Sequence, residues 1–205
     1  MKLFLSSKSL INEEITTHFL DFVAGNRNAA IITTAAQKYK ERNHNIIQLR
    51  EKLIQLGFQV QYIDIEFESP KQLLDFDVVI ISGGNPYYLL YHLKKNKVDE
   101  VLNKIIERDI PVMGISAGGL VLTQDLAIID RLTPAMNAEV KLLDKSGLGF
   151  IAEVIVPHYD RFVAAEIIDA NVVDEFAAQT GREVIRLGEY QCIIYGGETR
   201  QIIGE

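Results

Sequence analysis

Cysteine, tryptophan and long apolar runs are scarce in this sequence of 205 residues, which has one cysteine and no tryptophan. The single cysteine, Cys192, cannot form an internal disulfide, and there is no CxxC motif or Cys/His cluster for zinc. The apolar amino terminus turns polar at Ser6, and no apolar run reaches the roughly 18 residues of a membrane span. We therefore expect a cytoplasmic protein that has no membrane partner and uses no metal or organic cofactor.

An excess of basic residues is missing as well. The chain has 21 Lys and Arg against 28 Asp and Glu, which gives a net charge of -7. Proteins that bind nucleic acids usually carry the opposite balance, so a nucleic-acid partner is not expected. The composition, 48% hydrophobic and 24% charged, is typical of a folded soluble protein. Because the length suits one core and no linker interrupts it, we predict a single domain over residues 1–205.

Short β-branched runs alternate with longer amphipathic stretches along the first half of the chain. This alternation is typical of βαβ units around a mainly parallel sheet, and it predicts the α/β class. The predicted central strands are residues 2–6, 29–33, 59–63, 78–82 and 112–115. The predicted helices between them are residues 12–24, 36–56, 86–95 and 98–108.

The last third of the chain has a different pattern. It predicts a strand over residues 153–156, one long helix over 163–179, and strands over 183–187, 191–195 and 201–203. Gly196 and Gly197 stand between the last two strands, where a tight turn needs the positive φ that glycine adopts freely. We therefore expect antiparallel strands at the carboxyl-terminal end of the sheet.

The motif with the clearest chemical meaning is G-x-S-x-G at residues 114–118. It follows a predicted strand and begins a predicted helix, which is the context of a nucleophile elbow. Gly114 and Gly118 would let strand and helix approach closely, and Ser116 would stand at the exposed corner. The amide of Ala117 would then face a developing oxyanion. The alternative is a glycine-rich turn that binds a phosphate or only packs tightly.

A second glycine turn, Gly83-Gly84-Asn85, also follows a buried strand and precedes a helix that Pro86 would begin. The carboxyl ends of parallel strands meet at one edge of the sheet, where ligands bind. Amides of this turn could supply a second oxyanion donor, and the Asn85 side chain could bind substrate. The simpler alternative is a turn with no further role.

A serine nucleophile needs a base, and the chain has four histidines. His18, His44 and His92 fall inside predicted helices, where a solvated or packed ring is expected. His158 instead follows the predicted strand 153–156, at the sheet edge that Ser116 should occupy. The preferred acid to orient His158 is Glu189, which follows another predicted strand. The rivals Asp160, Asp125 and Asp130 stay open.

At these residues the sequence resembles peptidase family S51, the group that includes aspartyl dipeptidase E and cyanophycinase. The segments that carry the resemblance are residues 80–85 with Leu89 and Leu90, the elbow 114–118, and 156–159. Residues 3–7 and 185–189 also look like family positions, so the similarity spans most of the chain. It implies a three-layer α/β sandwich with a flavodoxin-like core, similar to class I glutamine amidotransferases. Those enzymes have a cysteine nucleophile where this chain has Ser116.

The resemblance implies Ser116 as nucleophile, His158 as base and Glu189 as third member of a catalytic triad. It also implies the amides of Gly84 and Ala117 as oxyanion donors. Two departures stand out: Ser82 replaces a third glycine, and a loop associated with aspartate recognition is missing after His158. Because of these departures, the resemblance does not imply specificity for an amino-terminal aspartate.

These observations together predict a serine peptidase that acts on short peptides, in the manner of a dipeptidase, as a monomer or homodimer. Two alternatives remain. One is an esterase or deacylase with the same triad, and the other is a non-catalytic module that binds a small metabolite across the two glycine turns.

Overall fold

A seven-stranded sheet forms the centre of the protein in this computed structural model, which describes residues 1–197 and 199–204. The strand order is β3-β2-β4-β5-β1-β8-β9. The first five of these strands run parallel, and β8 and β9 pair antiparallel at one end, as predicted. The strands of this sheet are β1 (Lys2–Ser6), β2 (Asn28–Ile32), β3 (Gln59–Ile63), β4 (Val78–Ile81), β5 (Val112–Ile115), β8 (Cys192–Gly196) and β9 (Thr199–Ile203).

Two further strands form a separate parallel pair. These are β6 (Val154–Pro157) and β7 (Val184–Leu187). Nothing in the sequence pattern predicted that they would leave the central sheet. Residues that follow β6 and β7 therefore extend from a different sheet than those that follow β5.

Helices pack on both faces of the central sheet. On one face lie α1 (Glu13–Val23) and α2 (His44–Gln55), and on the other lie α3 (Pro86–Lys95), α4 (Val98–Glu107) and α5 (Ala117–Leu120). The later helices α6 (Ala127–Leu132) and α7 (Tyr159–Ala164) contact β6 and β7, and α8 (Ala170–Thr180) contacts α6. Successive side chains of a strand point to opposite faces, and in β4 Val79 and Ile81 join one buried apolar cluster while Val78 and Ile80 join the other. Two cores on either side of one sheet make the three-layer α/β sandwich that the resemblance implied.

Two predicted helices are wrong in their extent. The helix predicted over residues 36–56 begins only at His44, because Asn43 caps it by accepting a hydrogen bond from the Asn45 amide. The preceding residues form a loop with a short 3-10 helix at Lys40–Arg42. Likewise, the long helix predicted over 163–179 is divided into α7 and α8, and Asp169 caps the second of them. The sequence analysis also missed α6.

Residues 1–197 and 199–204 contain no helix that is both long and apolar enough to cross a membrane.

Candidate active site

Ser116 stands at the corner between β5 and α5, with φ 48° and ψ −110°. A residue other than glycine in this region is strained, and such strain is found where the surrounding structure enforces it. Here the enforcement comes from close packing: a Cβ on Gly118 would lie 2.0 Å from the carbonyl oxygen of Ile81, and one on Gly114 would lie 2.8 Å from the Gly119 backbone. The two motif glycines therefore allow the strand and the helix to meet at Ser116.

His158 lies next to Ser116, although the two residues follow strands of different sheets. The Nε2 atom of His158 is 3.0 Å from the Oγ atom of Ser116. The backbone of His158 is left-handed, with φ 59°, directly before α7. The ring of Phe162 packs against the imidazole, with 5.1 Å between ring centroids. This arrangement fixes the ring with one nitrogen facing the serine hydroxyl.

Glu189 contacts the other nitrogen of the same ring. Its Oε1 atom is 2.5 Å from the Nδ1 atom of His158, and the side chain is buried. A ring with a proton on Nδ1 donates to this carboxylate and leaves Nε2 free to accept the proton of Ser116. Ser116, His158 and Glu189 thus form one continuous line of contacts.

The three rival carboxylates are used elsewhere. Asp160 accepts a hydrogen bond from the Glu189 amide at 3.0 Å, so it supports the loop that carries Glu189. Asp125 pairs with Arg182, and Asp130 pairs with Lys145. Among these four acids, only Glu189 contacts the imidazole.

Two cations flank Glu189. The Nζ atom of Lys8 lies 2.7 Å from Oε2, and the Nε atom of Arg161 lies 3.0 Å from Oε1. Burial by itself would raise the pKa of Glu189, but the hydrogen bonds with Lys8 and His158 and the charge of Arg161 bring this pKa below its usual value. The carboxylate is therefore ionised at neutral pH.

Burial lowers the pKa of His158 below its usual value of 6.5. Glu189 opposes this shift, while the positive charges of Arg161 and Lys8 contribute to it. Since the net direction is downward, the imidazole is neutral at pH 7. A neutral ring is the state that can accept a proton from Ser116.

Ser7 was missed as a functional candidate, yet it joins the ends of three strands. Its buried hydroxyl donates to the carbonyl of Leu187 at 3.0 Å and accepts a hydrogen bond from the His158 amide at 2.9 Å. Ser7 follows β1, His158 follows β6 and Leu187 ends β7. A polar residue after a buried strand was the available signal, since the same signal drew attention to His158.

The Gly83-Gly84-Asn85 turn lies directly beside the elbow. A Cβ on Gly83 would be 3.3 Å from the Cβ of Ser116, and one on Gly84 would be 2.2 Å from the Ala35 carbonyl oxygen. The φ angle of Gly84 is +148°. Among the described residues, the backbone amides of Gly84 and Ala117 have no hydrogen-bond acceptor. Both residues border the same cavity as Ser116.

The side chain of Asn85 is engaged in hydrogen bonds within the protein. Its Oδ1 atom accepts hydrogen bonds from the backbone amides of Tyr87 and Tyr88 and so caps α3. Its side-chain Nδ2 atom donates to the Met136 carbonyl and to Gln37. These contacts hold the turn in place, and the role of Asn85 in binding substrate stays a prediction.

The remaining histidines and the cysteine lie apart from this line of contacts. His18, His44 and His92 lie in α1, α2 and α3, as predicted. Cys192 is buried in β8, and burial raises the pKa of its thiol to about 12, which leaves it unreactive at neutral pH. In the part of the chain that the structure describes, no group of three or more His, Cys, Asp or Glu side chains is arranged to hold a metal ion.

Ser116 and His158 border two cavities. One, of about 440 Å³, is bordered by polar groups that include Lys8, Arg161 and Asn43. The other, of about 370 Å³, is bordered mainly by apolar side chains from α5, α6 and α7. Both are of the size of small-molecule sites.

Comparisons with known proteins agree with this picture. The model of peptidase family S51 matches residues 3–203. An uncharacterized peptidase of Pasteurella multocida is 24% identical over 99% of this chain and 97% of its own length. A probable alpha-aspartyl dipeptidase of Drosophila melanogaster is 23% identical over 87% of this chain and 75% of its own. The fold is similar to a crystal structure described as a candidate peptidase E protein of Listeria monocytogenes, with a TM-score of 0.79, 23% identity and coverage of 98% of this chain and 97% of that one.

Proposed function

The chain belongs to peptidase family S51 and is a serine peptidase, and we propose that it hydrolyses short peptides through an acyl-enzyme on Ser116. The observation that carries the proposal is the line of contacts from Ser116 Oγ to His158 Nε2, at 3.0 Å, and from His158 Nδ1 to Glu189, at 2.5 Å. Membership of a peptidase family favours an enzyme over the non-catalytic module that the sequence left open.

In the proposed first step, neutral His158 accepts the Ser116 proton at Nε2 while the serine oxygen attacks the carbonyl carbon of the peptide bond. The resulting imidazolium is stabilised by the Glu189 carboxylate. It then donates its proton to the leaving amine as the carbon–nitrogen bond breaks. In the second step, His158 removes a proton from water, which attacks the ester carbonyl. As the bond from the acyl carbon to the Ser116 oxygen breaks, His158 returns the proton to that oxygen, and the acyl group leaves as a carboxylic acid.

The oxyanion of the tetrahedral intermediate needs hydrogen-bond donors, and we assign this role to the amides of Gly84 and Ala117. Both residues border the cavity that also contains Ser116, and Ala117 begins α5. In serine peptidases, one such donor contributes about 100- to 1,000-fold to kcat. Because both donors belong to the backbone, close packing of the two glycine turns fixes their directions.

Short peptides are the proposed substrates because the two cavities are small and meet at the nucleophile. We also propose that the enzyme acts in the cytoplasm, since its lone, buried Cys192 fits a reducing compartment.

The test is to incubate the purified protein with a panel of di-, tri- and tetrapeptides and to compare it with Ser116→Ala. The proposal predicts release of amino acids by the wild type and no turnover by the variant. Equal turnover by both proteins would contradict it. Turnover of simple acyl esters without turnover of any peptide would favour a deacylase that uses the same residues.

A further inference from the structure

The apolar cavity beside Ser116 is formed by elements that come together from two parts of the chain. Its apolar border comes from α5, from α6 and the 3-10 helix after it, and from α7 and the segment before α8. The side chains that form this border are Leu120, Ile129, Leu132, Met136, Phe162 and Ile168. Three of them, Leu120, Ile129 and Ile168, belong to the buried core, which makes this wall part of the fold.

The border of this cavity contains no Asp, Glu, Lys or Arg side chain within residues 1–197 and 199–204. Its polar members are Ser116, His158 and Thr133. A carboxylate or ammonium group that entered it would lose its hydration without gaining a partner of opposite charge, which is unfavourable. An apolar side chain in the same place would instead be stabilised, because its surface is removed from water.

The second cavity has the opposite character, since Lys8 and Arg161 border it. Both cations are already paired with Glu189, but their side chains are 39% and 50% exposed. A peptide that crosses Ser116 therefore meets an apolar wall on one side and a polar, positively charged wall on the other. This asymmetry gives the two sides of the scissile bond different preferences.

We propose that the apolar cavity is a specificity subsite for a residue that flanks the scissile bond, and that it selects aliphatic or aromatic side chains. The inference rests on the proposed function, because it concerns the substrates of the same nucleophile. Within the described residues this cavity has no cation that could pair with an aspartate side chain, so an acidic residue of the substrate would have to lie in the second cavity, beside Lys8 and Arg161.

The experiment is a matrix of dipeptides in which Leu, Phe, Ala, Asp and Lys occupy each of the two positions, with kcat/KM measured for each. At one of the two positions, Leu and Phe are expected to exceed Asp and Lys by at least about ten-fold, the discrimination of one to three kcal/mol that a hydrophobic pocket gives. Equal values for all five residues at both positions, or values for Asp that exceed those for Leu and Phe at both positions, would overturn the inference.

Met136→Lys provides the matched test of the cavity itself. Met136 is half-buried at the cavity border, so a lysine there places a cation against the incoming side chain. The ratio of kcat/KM for Leu over Asp is expected to fall at least about ten-fold. Leu143→Lys is the control, because Leu143 is 96% exposed and does not border this cavity. It adds the same charge and should leave the ratio unchanged.

Thermal unfolding shows whether Met136→Lys is folded, and Met136→Leu is the second variant if it is not. The leucine variant should keep the preference for Leu over Asp, and loss of that preference would contradict the subsite.

A fluorophosphonate without an amino-acid side chain separates failure of the apolar subsite from failure of the proposed peptidase function. Labelling of Ser116 without an apolar preference rejects the subsite alone, whereas absence of labelling and of all turnover rejects the proposed function as well.

Discussion

At the residue scale, the chemistry depends on side chains that follow different strands and meet in a small volume. Ser7 follows β1, His158 follows β6 and Glu189 follows β7 by two residues. The hydroxyl of Ser7 bonds to the backbone at the ends of both β6 and β7, so it fixes the positions from which His158 and Glu189 extend. Small shifts of these groups would change the distance between His158 and Ser116.

Glu189→Gln tests which acid orients the histidine. A glutamine has nearly the same shape but cannot stabilise the imidazolium, and the equivalent Asp→Asn change in serine peptidases lowers kcat about 10,000-fold. We expect a loss of that order, measured as kcat on the best peptide. Asp125→Asn and Asp130→Asn are the controls, since their carboxylates pair with Arg182 and Lys145. A loss of this size in a control, with Glu189→Gln active, would mean that the acid was misassigned.

Lys8→Met tests the electrostatics of the site through pH. The rate should fall at low pH when His158 becomes protonated, and the midpoint in wild type should lie below 6.5 because burial lowers the pKa of His158. Lys8 contributes to lowering that pKa, so its removal should shift the midpoint of kcat/KM to higher pH. Lys97→Met, whose lysine side chain is 76% exposed and pairs with Glu100, is the control. A wild-type midpoint above 6.5, or the same midpoint in wild type and Lys8→Met, would contradict this account.

Ser7→Ala tests the clamp between the strands. The change removes the acceptor of the His158 amide and the donor to the Leu187 carbonyl, which should cost about 1 to 3 kcal/mol of stability in urea unfolding. It should also lower kcat more than it raises KM, because the base is displaced while the cavities remain. Ser6→Ala is the matched control, since its hydroxyl is buried without a hydrogen-bond partner among the described residues. Equal effects of the two changes would mean that Ser7 has no special role.

At the element scale, the strand-to-helix corners give the site its shape. The elbow works because α5 packs against β4 with no side chain between Gly118 and the Ile81 carbonyl. The second turn is held in the same way by the loop after β2, whose Ala35 carbonyl accepts the Asn85 amide at 2.9 Å. These backbone contacts hold the two turns that carry Gly84 and Ala117, the proposed oxyanion donors.

Gly118→Ala and Gly119→Ala form a matched pair within α5. A methyl group at position 118 would meet the Ile81 carbonyl oxygen at 2.0 Å, so we expect a loss of about 3 kcal/mol or more, with loss of activity. At position 119 the nearest atom is 3.5 Å away, so stability should change by no more than about 1 kcal/mol. Thermal or urea unfolding measures both. Equal stability of the two variants would contradict the close packing at the elbow.

The elements show where prediction from the sequence succeeds. Strands of the central sheet were predicted well because most are short apolar runs with polar or glycine-rich ends, and some, such as Val78–Ile81, consist of β-branched residues alone. The helix over residues 36–56 was predicted too long, because the cap at Asn43 stands inside a continuous amphipathic pattern. The division between α7 and α8 was missed for the same reason, since Asp169 resembles any exposed acid in a helix.

At the scale of the whole molecule, the site exists because a second small sheet is packed against the central one. The residues Ser116 and His158 could be proposed from local motifs, since a strand end followed by a reactive side chain is visible in the sequence. The contacts of Glu189 with Lys8 and Arg161 could not, because they join residues up to 181 positions apart. Such contacts depend on how β6 and β7 pack, which no local pattern encodes.

The apolar cavity also belongs to this scale. Met136 and Phe162 lie in separate helical segments that are joined through the loop and strand between them, and each sequence segment alone reads as an ordinary amphipathic stretch. Only the packed molecule shows that these side chains share one wall with Ser116.

The most direct test of the central claim is mass spectrometry of the intact protein after treatment with a serine-reactive fluorophosphonate, followed by peptide mapping. The account predicts one adduct, located on Ser116, absent from Ser116→Ala and formed much more slowly in His158→Ala. An adduct on another residue, or equal labelling of wild type and His158→Ala, would contradict it.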